Sequence, residues 1–142
     1  MRIWQKEISV YILEAMGRHS APAALGIEFL EVGDDFIKAR APVDHRTVWN
    51  GALHSGINVV LAETLGSCGA HYATSPSTRA VGLSITANHL KTVTSGWVTG
   101  TTRPLRNDAE GQVWQIDIVD ESGALVCSSR ITMALLQEQP PV

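Results

Sequence analysis

From Gly56 to about Ala73 the sequence is almost entirely apolar or small, with a lone acid, Glu63, inside Val59-Val60-Leu61-Ala62-Glu63-Thr64-Leu65-Gly66. The run is longer than most strands, and its alanine and leucine content favours helix. Over the wider segment 51–73, His54, Asn58, Glu63 and His71 interrupt the apolar and small residues, whereas a membrane-spanning helix needs about 20 nearly uncharged residues. The pattern therefore predicts a buried helix in a globular fold. A helix that is apolar on all sides must be covered, and the rest of the chain has to supply the cover.

The flanking sequence supplies it mostly as strands. Ser9 to Met16 reads as a short helix stopped by Gly17. Leu25–Glu31 and Phe36–Ala41 read as a hairpin turning at Gly33-Asp34-Asp35. Residues 44–53 read as polar and irregular. After the helix, Val81, Leu83, Ile85 and Ala87 alternate as one odd-numbered apolar face, which His89 continues toward the helix side of a sheet. Gly96–Leu105, Gln112–Val119 and Leu125–Leu136 are further strands, with turns at Asn107-Asp108 and Glu121-Ser122-Gly123. The tail 136–142, with Gln137-Glu138-Gln139-Pro140-Pro141, reads as disordered. The expectation is one α+β domain over 1–142: a long helix wrapped by an antiparallel sheet. A chain of this size buries roughly 68% of its extended surface, enough for a core without staples.

Charge and composition exclude several classes. Eleven Lys and Arg against 14 Asp and Glu give −3, with no basic stripe for nucleic acid and no cluster for a membrane surface. Cys68 and Cys127 are too few and too separated for a disulfide framework and read as buried thiols. The apolar run Ile8–Leu13 is too short for a secretory signal, so the expected compartment is the cytoplasm. No pair of histidines has zinc-ligand spacing, and there is no Gly-rich phosphate loop, so neither metal nor cofactor is expected.

Glu63 then carries the chemistry. Acids are seldom buried unless paired, and no Lys or Arg lies within a turn of it. Either this face of the helix is exposed and Glu63 is solvated, or the carboxylate is held for a purpose. Gly56, Glu63, Ser67 and Ala70 fall on one helical stripe, and Ser67 stands one turn beyond the acid. The Ser67 hydroxyl serves either to hold a carboxylate or water, or to bond back to its own helix. The helix starts at about His54-Ser55-Gly56, where free N–H groups and the positive dipole end suit an oxyanion. His54 there either polarises a carbonyl or caps the helix.

Two runs, Gly51-Ala52-Leu53-His54-Ser55-Gly56 and Leu61-Ala62-Glu63-Thr64-Leu65-Gly66-Ser67, resemble hotdog-fold acyl-CoA thioesterases. The resemblance is to the bacterial group of enterobactin-proofreading and dihydroxynaphthoyl-CoA thioesterases. It extends through Pro42-Val43-Asp44, Val81-Gly82-Leu83, Ala87-Asn88-His89, Val113-Trp114-Gln115-Ile116 and Cys127-Ser128-Ser129-Arg130. It implies the hotdog fold, a homodimer or dimer of dimers, and an acyl-CoA or acyl-carrier-protein thioester as substrate. It implies Glu63 as nucleophile or general base, the Ser55 N–H as oxyanion donor, and His54 and Ser67 as assistants. Gly56, Thr64, Asn88 and His89 would lie along the substrate.

Two positions depart from that group. Ser55 stands where Gly is usual, and Val48 where an amide side chain is usual, followed by Trp49 and Asn50. Asn50 is then the candidate replacement amide, and Trp49 would favour an aromatic or bulky acyl group. Ser55 and Glu63 are separated by about 12 Å along a helix, too far for one tetrahedral intermediate. The expected site is therefore shared: His54 and Ser55 from one chain, Glu63 and Ser67 from its partner. The alternatives are a hotdog hydratase or dehydratase, and a non-catalytic acyl-CoA sensor with no need of Glu63.

Overall fold

The structure, a computed structural model, describes residues 1–138. Ser9 caps α1 (Val10–Met16) by accepting the Ile12 N–H at 3.1 Å, and Gly17 closes it. A single turn, α2 (Ala21–Ala24), follows. β1 (Glu28–Val32) and β2 (Ile37–Pro42) pair as a hairpin, and β3 (Val48–Trp49) and β4 (Ala52–Leu53) as a much smaller one. Then come α3 (Ser55–Tyr72), β5 (Thr78–His89), β6 (Trp97–Asp108), β7 (Gly111–Val119) and β8 (Leu125–Gln137). Six strands form one antiparallel sheet in the order β1-β2-β6-β7-β8-β5, and α3 packs against five of them. This is the helix-wrapped α+β architecture that the apolar run demands.

One face of α3 makes the core. Leu61, Ala62, Leu65 and Ala70 are fully buried against Val98, Trp114, Ile116 and Ile131. Burying each leucine contributes about 1.5–3 kcal/mol. The helix lies close to the sheet because of glycine: a Cβ on Gly69 would stand 2.7 Å from the Trp114 ring. Trp114 stacks on Trp4 with centroids 6.2 Å apart. Its indole N–H donates to Gln112 Oε1 at 2.8 Å, and Gln112 donates to Thr74 Oγ1 at 2.9 Å, so these buried polar groups are satisfied. The other face of α3, with Ile57, Val59, Val60, Glu63 and Ser67, is only half covered. α1 and α2 shield part of it.

Several elements differ from the sequence reading. Residues 44–53 are ordered rather than irregular. Thr47 is buried, its hydroxyl donating to Pro42 O at 2.6 Å, and Asn50-Gly51, with φ of 53° and 82°, makes the tight turn between β3 and β4. Positive φ at both turn positions is what such a hairpin requires. The first strand begins at Glu28 rather than Leu25, because Leu25 closes α2 and Gly26 (φ 81°) turns the chain. The strand β8 runs through Leu136 and Gln137, which pair with Arg79 and Thr78, so the disordered tail does not begin at 136. Its remainder, residues 139–142, lies outside the described residues.

The odd-numbered face expected of β5 is also interrupted. Gly82 pairs with Met133 but Ser84 with the adjacent Thr132, leaving Leu83 as an extra residue in a bulge. The bulge exchanges parity. Ile85 and Ala87 are half-buried, opposite the buried Ile131 and Ser129, and His89 follows in the same register opposite buried Cys127 but is itself exposed, as are Val81 and Leu83.

Candidate active site

The start of α3 is held from three sides. Arg46 donates to Asp44 within the preceding turn, and its guanidinium holds the Asp44 carboxyl down at about 2. The His54 N–H donates to Thr47 O at 2.9 Å, and the Leu53 N–H to Val93 O at 2.8 Å. His54 Nδ1 accepts the Gly56 N–H at 2.8 Å, so the imidazole caps its own helix. That bond assigns the other ring nitrogen as the N–H of the neutral tautomer, and the exposed residue presents it outward. A Cβ on Gly56 would lie 2.9 Å from His54 Nδ1, so glycine here makes room for the ring. Ser55 opens the helix, where the backbone N–H has no carbonyl one turn back to bond.

Glu63 is half-buried, neither solvated nor sealed in. Ser67 Oγ donates to Glu63 Oε1 at 3.1 Å, which realises the carboxylate-holding role of that hydroxyl. Gly82 approaches from β5, where a Cβ would stand 3.2 Å from the same oxygen. Among the described residues no cation pairs with Glu63. Thr64 instead bonds back to Val60 O at 2.7 Å.

Ser67 and Thr64 also line an apolar cavity of about 260 Å³ between α3 and the α1–α2 segment, walled by Leu13, Ile27 and Phe29 and reaching His71. Cys68 borders it as well, and burial pushes its thiol up to about 11, so it stays protonated and unreactive. Burial, and then the charge of Lys6, pushes the His71 imidazole down.

A separate cleft of about 220 Å³ lies at the helix start, lined by Ser55, Asn58, His89, Lys91 and Thr92. His89 thus reaches the expected region. Asn88 does not: it pairs with Ser128 on the opposite face of the sheet. Val48, Trp49 and Asn50 sit on the projecting hairpin, with Trp49 74% exposed. The choice of Asn at 50 is accounted for by its turn conformation. Within one chain, then, the structure joins Glu63 to Ser67 and Ser55 to His89, but leaves the two pairs apart. Sequence reasoning passed over two contributors. The α1–α2 wall lacks any local signature of a binding surface, and Asn58 was visible only as an interruption of an apolar run. Among the described residues no group of three His, Cys, Asp or Glu could hold a metal.

Comparison with known proteins places this geometry. The thioesterase superfamily profile matches residues 50–127, which include both clusters. The chain is 44% identical over 135 residues to 1,4-dihydroxy-2-naphthoyl-CoA hydrolase of Escherichia coli strain K12, covering 94% of this chain and 99% of that protein. It is 38% identical to the proofreading thioesterase EntH of Cronobacter turicensis, covering 94% and 98% respectively. The crystal structure of thioesterase HI1161 from Haemophilus influenzae superposes with a TM-score of 0.93 at 41% identity, over 97% of each chain.

Proposed function

The chain belongs to the thioesterase superfamily and hydrolyses thioesters, and from that premise we propose that its active site is assembled from two copies. Glu63 and Ser67 come from one protomer, and His54 and Ser55 from the other. The observation that carries the proposal is the separation within a single chain. The helix start and the carboxylate are about 12 Å apart along α3, and Ser55 and Ser67, the hydroxyl that holds the carboxylate, border cavities with no lining residue in common. Two antiparallel copies of α3 across a two-fold axis bring each start to the other's acid. The half-covered face of α3 and the exposed edge of β5, with Val81 and Leu83, are the surfaces left to meet a second copy. A pair of such dimers, acting in the cytoplasm, completes the proposed assembly.

In that site the acyl group enters the apolar cavity beside Ser67. An aromatic acyl group suits its walls, and Trp49 of the second copy's hairpin closes the mouth. The Ser55 N–H and the outward N–H of His54 receive the carbonyl oxygen and stabilise the negative charge of the tetrahedral intermediate. Glu63, steadied by Ser67, either attacks the carbonyl carbon or takes the proton from an attacking water. The carbon–sulfur bond breaks and the thiolate of CoA or of a carrier protein takes up a proton; where Glu63 has attacked, water then hydrolyses the acyl–Glu63 anhydride, and in either route the acid leaves.

Complementation tests the shared site. Glu63→Gln and His54→Ala chains, each nearly inactive alone, are mixed under conditions that exchange subunits. In a heterodimer both lesions fall in one site and leave the other intact, so activity recovers toward half that of wild type. Confirmed exchange with no recovery overturns the assignment and places Glu63 in a site of its own chain.

A further inference from the structure

We propose that the cleft at the start of α3 holds the pantetheine arm of the substrate, with the Asn58 carboxamide pairing with one of the arm's secondary amides. This rests on the thioesterase reading and extends it from the acyl side of the scissile bond to the thiol side.

The argument starts from an unpaired atom. Asn58 is 4% exposed, yet its Oδ1 is the one buried side-chain oxygen or nitrogen among the described residues without a hydrogen-bond partner. Leaving such a group unsatisfied costs about 1–3 kcal/mol. The fold does not tolerate this elsewhere: buried Thr47, Thr74 and Gln112 all have partners. Asn58 lines the cleft together with Ser55, His89 and Thr92, one helical turn in from the N–H assigned to the oxyanion.

The charge of the cleft selects the ligand. Lys91 borders it, but its ammonium is taken by Asp120, whose carboxyl is held well below the usual range first by that bond and then by Ser122. A site whose one cation is already neutralised is poorly made for a phosphate. A neutral amide fits better. It offers one N–H and one carbonyl to a carboxamide that carries both complements. The distances agree as well. Asn58 lies about 4.5 Å along the helix from Ser55, and the first pantetheine amide nitrogen is three bonds from the sulfur of the scissile bond. The arm is common to CoA and to carrier proteins, so the proposal covers both carriers.

The test uses three thioesters of one acyl group, benzoyl: the S-pantetheine, S-(N-acetylcysteamine) and S-propyl compounds, the last with no amide. The wild-type enzyme is expected to favour the two amide-bearing substrates in kcat/KM. Asn58→Ala should lower kcat/KM on those two roughly ten- to hundredfold while changing the S-propyl thioester less than twofold. Benzoyl-CoA and a benzoyl carrier protein, run beside them, show whether both sources of the arm depend on Asn58 alike. Equal loss on all three small thioesters overturns the proposal. So does an altered sedimentation coefficient with equal loss, which would give Asn58's missing donor to a second copy. Wild-type enzyme that does not distinguish S-propyl from S-(N-acetylcysteamine) overturns it without any variant. Calorimetric titration of wild type and Asn58→Ala with the thioether phenacyl-pantetheine separates the two readings. Turnover of no thioester, with binding that still depends on Asn58, would fail the hydrolase reading and leave the arm site standing.

Discussion

Around the first turn of α3 the available groups are backbone N–H, an imidazole and a carboxamide, open to a polar cleft. Two turns further on, a single carboxylate held by one hydroxyl stands beside an apolar cavity closed in by α1 and α2. The helix start is fixed by many hydrogen bonds, from Thr47, Val93 and the His54 ring. The carboxylate is fixed by one, with glycine against it. The two regions suit different tasks. Oxyanion donors have to be immobile and aimed before charge develops. An acid that attacks or takes a proton needs freedom to move by the length of a bond, and it keeps that freedom without a salt bridge.

The largest expected effect comes from breaking the acidic half. Glu63→Gln keeps the shape and the Ser67 contact but removes the charge, and kcat in a thiol-release assay should fall roughly 10²- to 10⁴-fold. Binding of a non-hydrolysable substrate analogue should persist. Turnover near wild type would remove Glu63 from the chemistry. Breaking the polar half should come next. Gly56→Ala puts a methyl 2.9 Å from His54 Nδ1, displaces the ring, and costs about 1 kcal/mol of cap. The expected loss in kcat is about tenfold or more, read against a thermal midpoint that drops only slightly.

Trp49 sharpens the comparison because it belongs to neither region in its own chain. Trp49→Ala should leave the melting temperature unchanged, since the side chain is 74% exposed. It should still reorder benzoyl against medium-chain fatty acyl substrates by several-fold. An unchanged ranking would place the hairpin away from the acyl group. The smallest effect concerns His71 at the far end of the cavity. Its pKa is lowered in the folded protein by burial and then by Lys6. The unfolded chain therefore binds this proton more readily. Stability should rise with pH from the lowered folded value up to the ordinary histidine value and level off above it, so that it is lost as the pH falls through that window. Thermal unfolding of wild type against His71→Phe between pH 5 and 8 checks it: the acid-side loss should be smaller in the variant.

The central helix, its acid and the run of strands were legible because each rests on a long, regular pattern. The separation of Ser55 from Glu63, on which the proposed shared site rests, was legible too, since helical rise alone sets it. The misses were local. Asn50-Gly51 is a hairpin dipeptide, but its flanking strands are two residues each, too short to show alternation. The bulge at Leu83 reads in sequence as continued alternation, because an apolar residue occupies the extra place. His54 left capping and polarising open, and the structure shows capping with one ring N–H still presented outward. A buried, unpartnered Asn58 has no sequence signature at all, since only packing reveals which polar side chain has been enclosed.

The bulge gives β5 a spare residue, and this makes the strand unequal in its response to changes of length. Deleting one residue between Leu83 and Asn88 can be absorbed by flattening the bulge, after which plain alternation still delivers the last histidine to the cleft. Inserting one residue finds no such reserve. It would turn His89 away from the cleft and carry Asn88 into its place. A single-codon deletion scan of this strand should therefore be far gentler on the enzyme than the matching insertion scan.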